Sequence, residues 1–343
     1  MKPLISTPCY VIAEIGVNHG GDVELARKMI TAAKNAGADA VKFQTFTAES
    51  LVSKGTPKVK YQESTTDKAE SHYDMIKSLE FKREDHLPVI EFCNSLGIDF
   101  ISTPYDVDSA KFLHGIGVSI FKTASADIVD LDLHHYLSTL NKRVVIATGM
   151  STLGEVEDAI QIYQRANTID KIALLHCVSN YPCLHESLNI RSMQTLANAF
   201  GVEVGFSDHS IGSIGAVVSV ALGATVVEKH FTLDKAMQGP DHKASSTPDE
   251  FRELVESIRT AEQCLGGFQK EVVDEELQMR SVSRKSLFLK RDIPAGQVIS
   301  GDDLCLKRPG TGLFAKYRAH VEGSRAARDL AQGKMLEFGD FLE

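Results

Sequence analysis

The stretch VEVGFSDHSIGSIGAVVSVALGATVVEKHF, residues 202–231, contains one complete repeat of the fold. Its two apolar runs, 202–208 and 224–231, are rich in β-branched residues and are interpreted as strands. The segment between them, 210–222, has a helical pattern and is followed by Gly223, a residue type that commonly ends helices. Because parallel strands need a long crossover, usually a helix, the stretch predicts two parallel strands in one sheet.

The same alternation continues outward over most of the chain. Six more strands are predicted at 9–16, 38–44, 98–104, 119–125, 143–149 and 171–177, and further helices at 22–36, 83–96, 106–114, 152–166 and 187–199. Eight near-continuous apolar strands, each followed by a helix, favour an α/β fold of the (β/α)8 TIM-barrel type. An open doubly wound sheet is the alternative, but no G-x-G-x-x-G motif follows the first strand.

Two segments depart from the alternation. Residues 44–82 form a polar, lysine-rich insertion after the second strand, on the side where barrel enzymes build active sites, and a mobile lid is expected there. After a barrel domain over 1–268, residues 269–285 are interpreted as a charged linker. Residues 286–343 are interpreted as a small, mainly β domain with many Gly and Pro turns.

The composition excludes several classes of protein. A net charge of −9 argues against a nucleic-acid partner, and no run approaches the ~20 apolar residues that cross a bilayer. The N-terminus lacks a signal-peptide pattern, and the six cysteines form no C-x-x-C pair, so a cytoplasmic location is expected.

Polar and ionisable residues are concentrated at the C-terminal ends of the predicted strands, where barrel enzymes carry their functional groups. They include Glu14, Lys42, Gln44, Thr103, Lys122, Ser125, Asp127, Thr148, His176, Ser179, Tyr181, Ser207, His209, Glu228 and His230. Strands that are buried on both faces can end in ordinary turn residues, so the turns themselves do not explain this many charged residues. A functional site is therefore predicted at this end of the barrel.

His209 and His230 end the seventh and eighth strands, which are neighbours in a barrel. Two converging imidazoles could hold a divalent metal and leave positions open for substrate and water, although each could also be a histidine hydrogen-bonded at a helix start. Nitrogen and water ligands alone favour labile Mn²⁺ or Mg²⁺ over structural zinc.

Lys42 and Lys122 each follow an apolar strand. Two such lysines can bind a phosphate and a carboxylate, but either could be a solvated surface residue or a Schiff-base amine of the aldolase type. Ser125 and Ser207 could donate to phosphate oxygens or cap a helix. Asp241, in the loop GPDHKAS (239–245), and Arg308, in the turn KRPGTG (307–312), could belong either to simple turns or to a site.

A series of sequence motifs resembles the motifs of the sialic acid synthase family, both in their residues and in their order along the chain. The matching segments are AEIGVNHGG (13–21), VKFQTF (41–46), STPYD (102–106), FKTASADI (121–128), ATGMSTLGE (147–155), LLHCVSNYP (174–182), GFSDHS (205–210), EKHFTLDK (228–235), GPDHKAS (239–245) and KRPGTG (307–312). The C-terminal part is similar to the antifreeze-like (SAF) domain of that family.

The resemblance implies an enzyme that condenses phosphoenolpyruvate with the open-chain aldehyde of an N-acylated hexose, typically N-acetylmannosamine, and water to give N-acetylneuraminate and phosphate, the phosphate being lost with C–O cleavage. Departures from the family pattern, such as the segment Ser125-Ala126-Asp127, leave a legionaminate-type diacetamido-trideoxyhexose as the main alternative. A pseudaminate-type acceptor is less favoured. Outside the family, the alternatives are a Schiff-base pyruvate aldolase and a barrel that only binds sugar.

The resemblance also implies roles for individual residues. His209 and His230 would hold Mn²⁺ or Mg²⁺, and Glu14 would transfer a proton. Phosphoenolpyruvate would be bound by Lys42, Thr103, Lys122, Ser125 and Ser207, and the sugar by Asp127, Tyr181 and Asp241. Arg308 would reach from the small domain of one subunit into the barrel of the other, in a domain-swapped homodimer.

Overall fold

The computed structural model describes residues 8–67 and 69–342. The chain divides after Gly266 into two compact units, each described by itself. The N-terminal segment 1–7, part of the region without a signal-peptide pattern, lies outside the described residues, as do the expected domain limits at 1 and 343. The internal boundaries expected at 268 and 286 stay predictions.

The first unit is a closed barrel of eight parallel strands in sequential order, which confirms the predicted (β/α)8 fold and excludes the open sheet. Each strand overlaps its predicted range. The strands are β1 (Tyr10–Gly16), β2 (Ala40–Thr45), β3 (Asp99–Pro104), β4 (Ile120–Thr123), β5 (Arg143–Ala147), β6 (Ile172–Cys177), β7 (Glu203–Asp208) and β8 (Val226–His230).

The first unit also contains α-helices, which follow the strands along the chain. They are α1 (Val23–Asn35), α2 (Ala48–Leu51), α3 (Lys60–Thr65), α4 (His72–Ser78), α5 (Arg83–Leu96), α6 (Val107–Gly115), α7 (Leu131–Thr139), α8 (Leu153–Arg165), α9 (Ser192–Phe200), α10 (Ile214–Ala221) and α11 (Pro248–Leu265). The helical pattern in the sequence did not indicate bounds for α7 and α11. For α11 a signal was present, because Thr247 and Glu250 form a capping box and Pro248 begins the helix.

The insertion after β2 is a folded segment rather than an unstructured loop. It contains α2, α3 and α4, and its apolar residues Phe46, Met75 and Leu79 form a buried cluster with Val17. The lid motion expected for this segment stays a prediction.

The barrel interior is layered because side chains two residues apart on a strand share a face. One layer is an apolar cluster of Ile12, Ala40, Ile101, Val145, Ala173, Leu175 and Val226. Two residues further along their strands, the polar side chains of Glu14, Lys42, Thr103 and Glu228 point the same way. The strand alternation itself therefore places a polar layer on top of an apolar one, at the C-terminal end of the barrel.

The second unit has its own core and small antiparallel sheets, as expected for the mainly β domain. Its elements are α12 (Leu277–Ser283), β9 (Ser286–Leu289), β10 (Leu304–Lys307), α13 (Arg318–Val321), β11 (Arg325–Ala326) and β12 (Phe341–Leu342). β9 pairs with β10 and β11 with β12. Among the described residues, no helix has the length and apolar character needed to cross a membrane.

Candidate active site

A cavity of about 360 Å³ opens at the C-terminal end of the barrel. Most of the predicted site residues contribute to its lining: Glu14, Lys42, Thr103, Lys122, Ser125, Tyr181, Ser207, His209, His230 and Asp241. Several different strands and the loops after them supply these side chains, so that residues far apart in sequence are brought to one place.

Two predicted site residues are not part of this lining. Asp127 lies in a short 3₁₀ turn, Ser125–Val129, where burial and the nearby Asp130 raise the pKa of its carboxyl group to about 7. Arg308 belongs to the second unit and precedes Pro309 through a cis peptide bond. The roles expected for both residues stay predictions.

Two lysines and two glutamates form a buried cluster at the floor of the cavity. Lys42 Nζ lies 2.6 Å from Glu14 Oε2 and 3.7 Å from Glu228 Oε1. Lys122 Nζ lies 3.6 Å from the same Glu228 oxygen. Since each charge has an opposite partner, the cluster is tolerated in a buried position where an isolated charge would not be.

The charges of this cluster fix its protonation. Burial lowers the pKa of Lys42, but the facing carboxylates of Glu14 and Glu228 raise it more, and the net shift is upward. Burial opposes ionisation of Glu228, but Lys122 and Lys42 lower its pKa to about 2. Lys42 is therefore an ammonium group, not the free amine that Schiff-base formation needs.

Glu14 is the carboxyl group of the cluster with a raised pKa, because burial outweighs the effect of Lys42. Gln44 Nε2 donates to Glu14 Oε1 at 2.9 Å, and Tyr105 donates its hydroxyl proton to Gln44 Oε1 at 3.1 Å. A carboxyl group held in this way next to a cavity is suited to proton transfer.

Hydroxyl groups line the same cavity as the two lysines. Lys42 Nζ donates to Thr103 Oγ1 at 3.3 Å, and Ser207 Oγ donates to Glu228 Oε1 at 3.2 Å. Ser125 Oγ accepts from the Gly149 N–H at 3.0 Å, and a Cβ atom at position 149 would lie only 2.7 Å from that oxygen. Neither serine hydroxyl caps a helix. A buried cavity floor that carries both lysines and hydroxyl groups is suited to binding an anionic ligand.

His209 and His230 lie side by side, with ring centroids 5.6 Å apart and planes inclined by 58°. His209 Nδ1 is 2.7 Å from the Val178 carbonyl oxygen, so Nδ1 carries the proton and Nε2 keeps its lone pair. Nδ1 of His230 has no hydrogen-bond partner in the described part of the chain. Burial lowers the pKa of both imidazoles, and neutral rings are able to coordinate a metal.

These two imidazoles fit a divalent cation that is bound loosely. In residues 8–67 and 69–342, no group of three or more His, Cys, Asp or Glu side chains is arranged to hold a metal ion. Two nitrogen donors leave most coordination positions to water and substrate, as in open catalytic sites rather than closed structural ones.

A buried ion pair connects β7 and β8 behind the two histidines. Lys229 Nζ lies 2.8 Å from Asp208 Oδ2 and donates to the Ser210 carbonyl oxygen at 2.6 Å. Asp208 precedes His209 and Lys229 precedes His230, so the pair joins the two strands at the level where the imidazoles emerge.

Glu228 and Gln44 are site residues to which the sequence analysis assigned no role, although both are in the strand-end group. For Glu228, the position in the sequence could have indicated a role: it lies two residues before His230 on the same strand, so that the two side chains are on the same face of β8. Tyr105 was missed because it lies just after β3. The part of the insertion that lines the cavity was also missed, since its apolar residues are few and widely spaced.

Comparison with known proteins gives consistent matches along nearly the whole chain. Residues 29–270 match the model of the NeuB family, and residues 284–342 match the SAF domain. The chain is 43% identical to an N,N'-diacetyllegionaminic acid synthase of Legionella pneumophila, over 96% of this chain and 94% of that protein. It is 34% identical to a pseudaminic acid synthase of Campylobacter jejuni, over 97% and 96% of the respective lengths.

A solved structure is also similar. The N-acetylneuraminic acid synthetase of Leptospira borgpetersenii is matched with a TM-score of 0.71 and 33% identity, over 80% of this chain and 90% of that chain. The resemblance drawn from the motifs, and the SAF assignment of the C-terminal unit, are thereby confirmed.

Proposed function

Since the chain belongs to the NeuB family, we propose that it is an enzyme that condenses phosphoenolpyruvate with the open-chain aldehyde of an N-acylated hexose and water, giving a nonulosonic acid and phosphate. In this reaction C3 of phosphoenolpyruvate bonds to the aldehyde carbon, water adds at C2, and phosphate leaves with cleavage of the C–O bond. The observation that carries the proposal is the cavity in which two buried lysines, a glutamate with a raised pKa and two neutral histidines meet. Anion binding, proton transfer and aldehyde activation are the tasks that this condensation requires.

The acceptor that we propose is a 2,4-diacetamido-2,4,6-trideoxyhexose, which would give a diacetyllegionaminate-type product. This is the alternative of the sequence analysis rather than its first choice, N-acetylmannosamine. Support comes from the similarity, which is 43% to a diacetyllegionaminic acid synthase and lower, at 34% and 33%, to the pseudaminic acid synthase and the N-acetylneuraminic acid synthetase.

In this proposal, Lys42 and Lys122 bind the phosphate and carboxylate of phosphoenolpyruvate, with hydroxyl donors from Thr103, Ser125 and Ser207. Each lysine is already paired with a carboxylate, so an arriving anion exchanges partners within a preorganised cluster. Glu14 exchanges a proton near the reacting carbons, and its link through Gln44 keeps the carboxyl group oriented.

The sugar is bound at the other side of the histidines by Tyr181 and Asp241, with Asp127 in support. The ring of Tyr181 packs against that of His209, with centroids 4.2 Å apart and planes inclined by 38°, and Asp241 Oδ2 lies 4.0 Å from His230 Nδ1. Both residues can therefore contact a sugar whose aldehyde lies at the imidazoles.

His209 and His230 would hold a divalent cation, Mn²⁺ or Mg²⁺. When bound, such an ion supplies Lewis acidity towards an aldehyde oxygen. The two rings contribute neutral nitrogen donors, and the hydrogen bond from His209 to the Val178 carbonyl oxygen keeps its ring oriented.

Arg308 would complete the sugar pocket from the second unit of a partner chain, in a domain-swapped homodimer. The support is the family resemblance of the turn KRPGTG, whose Arg–Pro bond is cis. The cytoplasmic location expected from the sequence also stays a prediction.

A Schiff base at Lys42 is disfavoured by the raised pKa of that lysine. An experiment separates the proposal from an aldolase that uses either lysine. The two mechanisms respond oppositely to two reagents. The proposal expects inactivation by a metal chelator and no effect of borohydride with pyruvate, whereas an aldolase would be trapped by borohydride and would be indifferent to the chelator.

Mass spectrometry of the products tests the proposal directly. The protein is incubated with phosphoenolpyruvate, Mn²⁺ and a panel of 2-acetamido and 2,4-diacetamido hexoses. We expect a nonulosonic acid to form together with phosphate, most efficiently from the 2,4-diacetamido-6-deoxy acceptor. Absence of any condensation product across the panel would refute it.

A further inference from the structure

The lining of the cavity has two chemically different parts. The barrel strands contribute lysines, glutamates and histidines, whereas the insertion between β2 and α5 contributes mostly apolar side chains. We call the clustered apolar residues of this second part, together with the neighbouring Val17, the apolar wall; it consists of Val17, Phe46, Leu51, Met75, Ile76 and Leu79.

The apolar wall is preformed by packing. Met75 is 2% exposed and Leu79 8% exposed, and Phe46 packs edge-on against Tyr105 with centroids 5.7 Å apart. Leu51 in α2 and Ile76 in α4 are only partly buried and pack on this cluster while lining the cavity. Part of their surface is thus available to a ligand.

Such a wall offers almost no hydrogen bonds. The side chains of its members carry no donor or strong acceptor, and the Oε1 atom of Gln62, a polar neighbour in the lining, accepts from the Val59 N–H at 3.1 Å. A hydroxyl group placed against these six side chains would lose water without gaining a hydrogen bond from them, whereas a methyl group gains from burial there.

We infer that the apolar wall selects the acceptor by contacting its apolar edge, and so favours a hexose with a methyl group at C6 over one with a hydroxymethyl group. This inference rests on the proposed function. It gives the insertion a defined role: its helices α2 and α4 determine specificity, while the barrel strands carry the chemistry. From the effect of one small group in an apolar pocket, the preference is expected to be roughly 10–100-fold in kcat/KM.

The test compares two acceptors that differ only at C6, 2,4-diacetamido-2,4,6-trideoxymannose and its 6-hydroxy counterpart. The variants are Leu51→Asn and Ile76→Thr, alone and combined, which place polar groups on the wall. Val52→Thr, in the same insertion but outside the cavity lining, is the matched control. The readouts are kcat/KM for each acceptor, KM for phosphoenolpyruvate and the melting temperature.

We expect the ratio of kcat/KM for the two acceptors to fall at least about fivefold in the combined variant and to stay unchanged in Val52→Thr. The KM for phosphoenolpyruvate should not change, because the lysines that bind it are on the barrel strands. If the combined variant does not fold, the same ratio of kcat/KM is compared in the two single variants.

An unchanged ratio in folded wall variants, or a wild-type protein that does not distinguish the two acceptors, would overturn the inference. These results differ from a failure of the proposed function, in which neither acceptor would give a nonulosonic acid at all.

Discussion

Buried charges decide the chemistry of single residues in this cavity. The same barrel layer holds Glu228, whose pKa the lysines lower to about 2, and Glu14, whose pKa burial raises. The pKa values of two carboxyl groups that share one lysine neighbour are thus shifted in opposite directions, because Glu228 faces a second lysine as well. Such a difference separates a permanent counter-ion from a group that can exchange protons.

The two histidines give the first prediction. His209→Ala and His230→Ala should each reduce phosphate release by at least about 100-fold and weaken Mn²⁺ binding, because each removes one of only two nitrogen donors. Phosphate release is measured enzymatically, and Mn²⁺ binding by the loss of the free-ion EPR signal.

The exposed His135 on α7 provides the control, and His135→Ala should change neither quantity. Full activity of either cavity variant, with the melting temperature of the wild type, would contradict the metal assignment.

Asp127 gives a prediction on pH. Its pKa is about 7 in the folded chain against an ordinary 3.8, so folding favours the protonated form, and this contribution to stability is lost as the pH rises towards and past 7. Asp127→Asn should therefore be more stable than the wild type at pH 8 by roughly 2–4 kcal/mol, since one pKa unit corresponds to about 1.4 kcal/mol. The advantage should shrink towards pH 4.

Urea unfolding at several pH values measures this difference. Asp158→Asn, at an exposed position of α8, is the control and should show a difference that does not vary with pH. A flat profile for Asp127→Asn would mean that the Asp127 carboxyl group is ionised in the folded chain at neutral pH.

At the level of elements, the strands could be predicted and the insertion could not. Each strand is a continuous apolar run bounded by turn residues, a pattern that follows from burial on both faces and needs no knowledge of neighbours. The inward direction of Glu14 and Glu228 also follows from the alternation of side chains along a strand. The sequence around a single carboxylate, however, does not show whether that residue is a buried counter-ion or lies at the surface. Leu51 and Ile76 are isolated apolar residues in short helices, and only tertiary contacts bring them to the cavity.

The ion pair between β7 and β8 gives a prediction at this scale. Lys229→Met should destabilise the chain by about 3–5 kcal/mol, because it leaves the buried carboxylate of Asp208 without its cationic partner, with only the hydrogen bonds from Ser210 remaining. Arg143→Met breaks the exposed pair with Glu203 on the same barrel and should cost at most about 1 kcal/mol. Chemical denaturation measures both values, and equal losses would contradict the importance given to burial.

For the whole molecule, the order and number of elements were sufficient to predict the barrel and the small second domain. The assembly could not be predicted from single residues, because contacts between chains leave no periodicity in the sequence. The swapped dimer therefore depends on the family resemblance and on the role proposed for Arg308.

Mixing of variants tests that assembly. Arg308→Ala should raise the KM for the sugar more than the KM for phosphoenolpyruvate. Mixing Arg308→Ala chains with His230→Ala chains should restore part of the activity, because a swapped heterodimer contains one site with an intact barrel and an intact arginine. An unchanged sugar KM, or no recovery after chain exchange shown by mass spectrometry, would contradict a shared site.

In the proposed reaction, the polar layer of the barrel joins phosphoenolpyruvate to a sugar aldehyde, and the phosphate leaves with cleavage of the C–O bond of its ester. Phosphoenolpyruvate labelled with ¹⁸O at the bridging position tests it most directly. With Mn²⁺ and the diacetamido acceptor present, we expect the released phosphate to carry the label and its release to require the acceptor. Unlabelled phosphate, or release at the same rate without any acceptor, would contradict it.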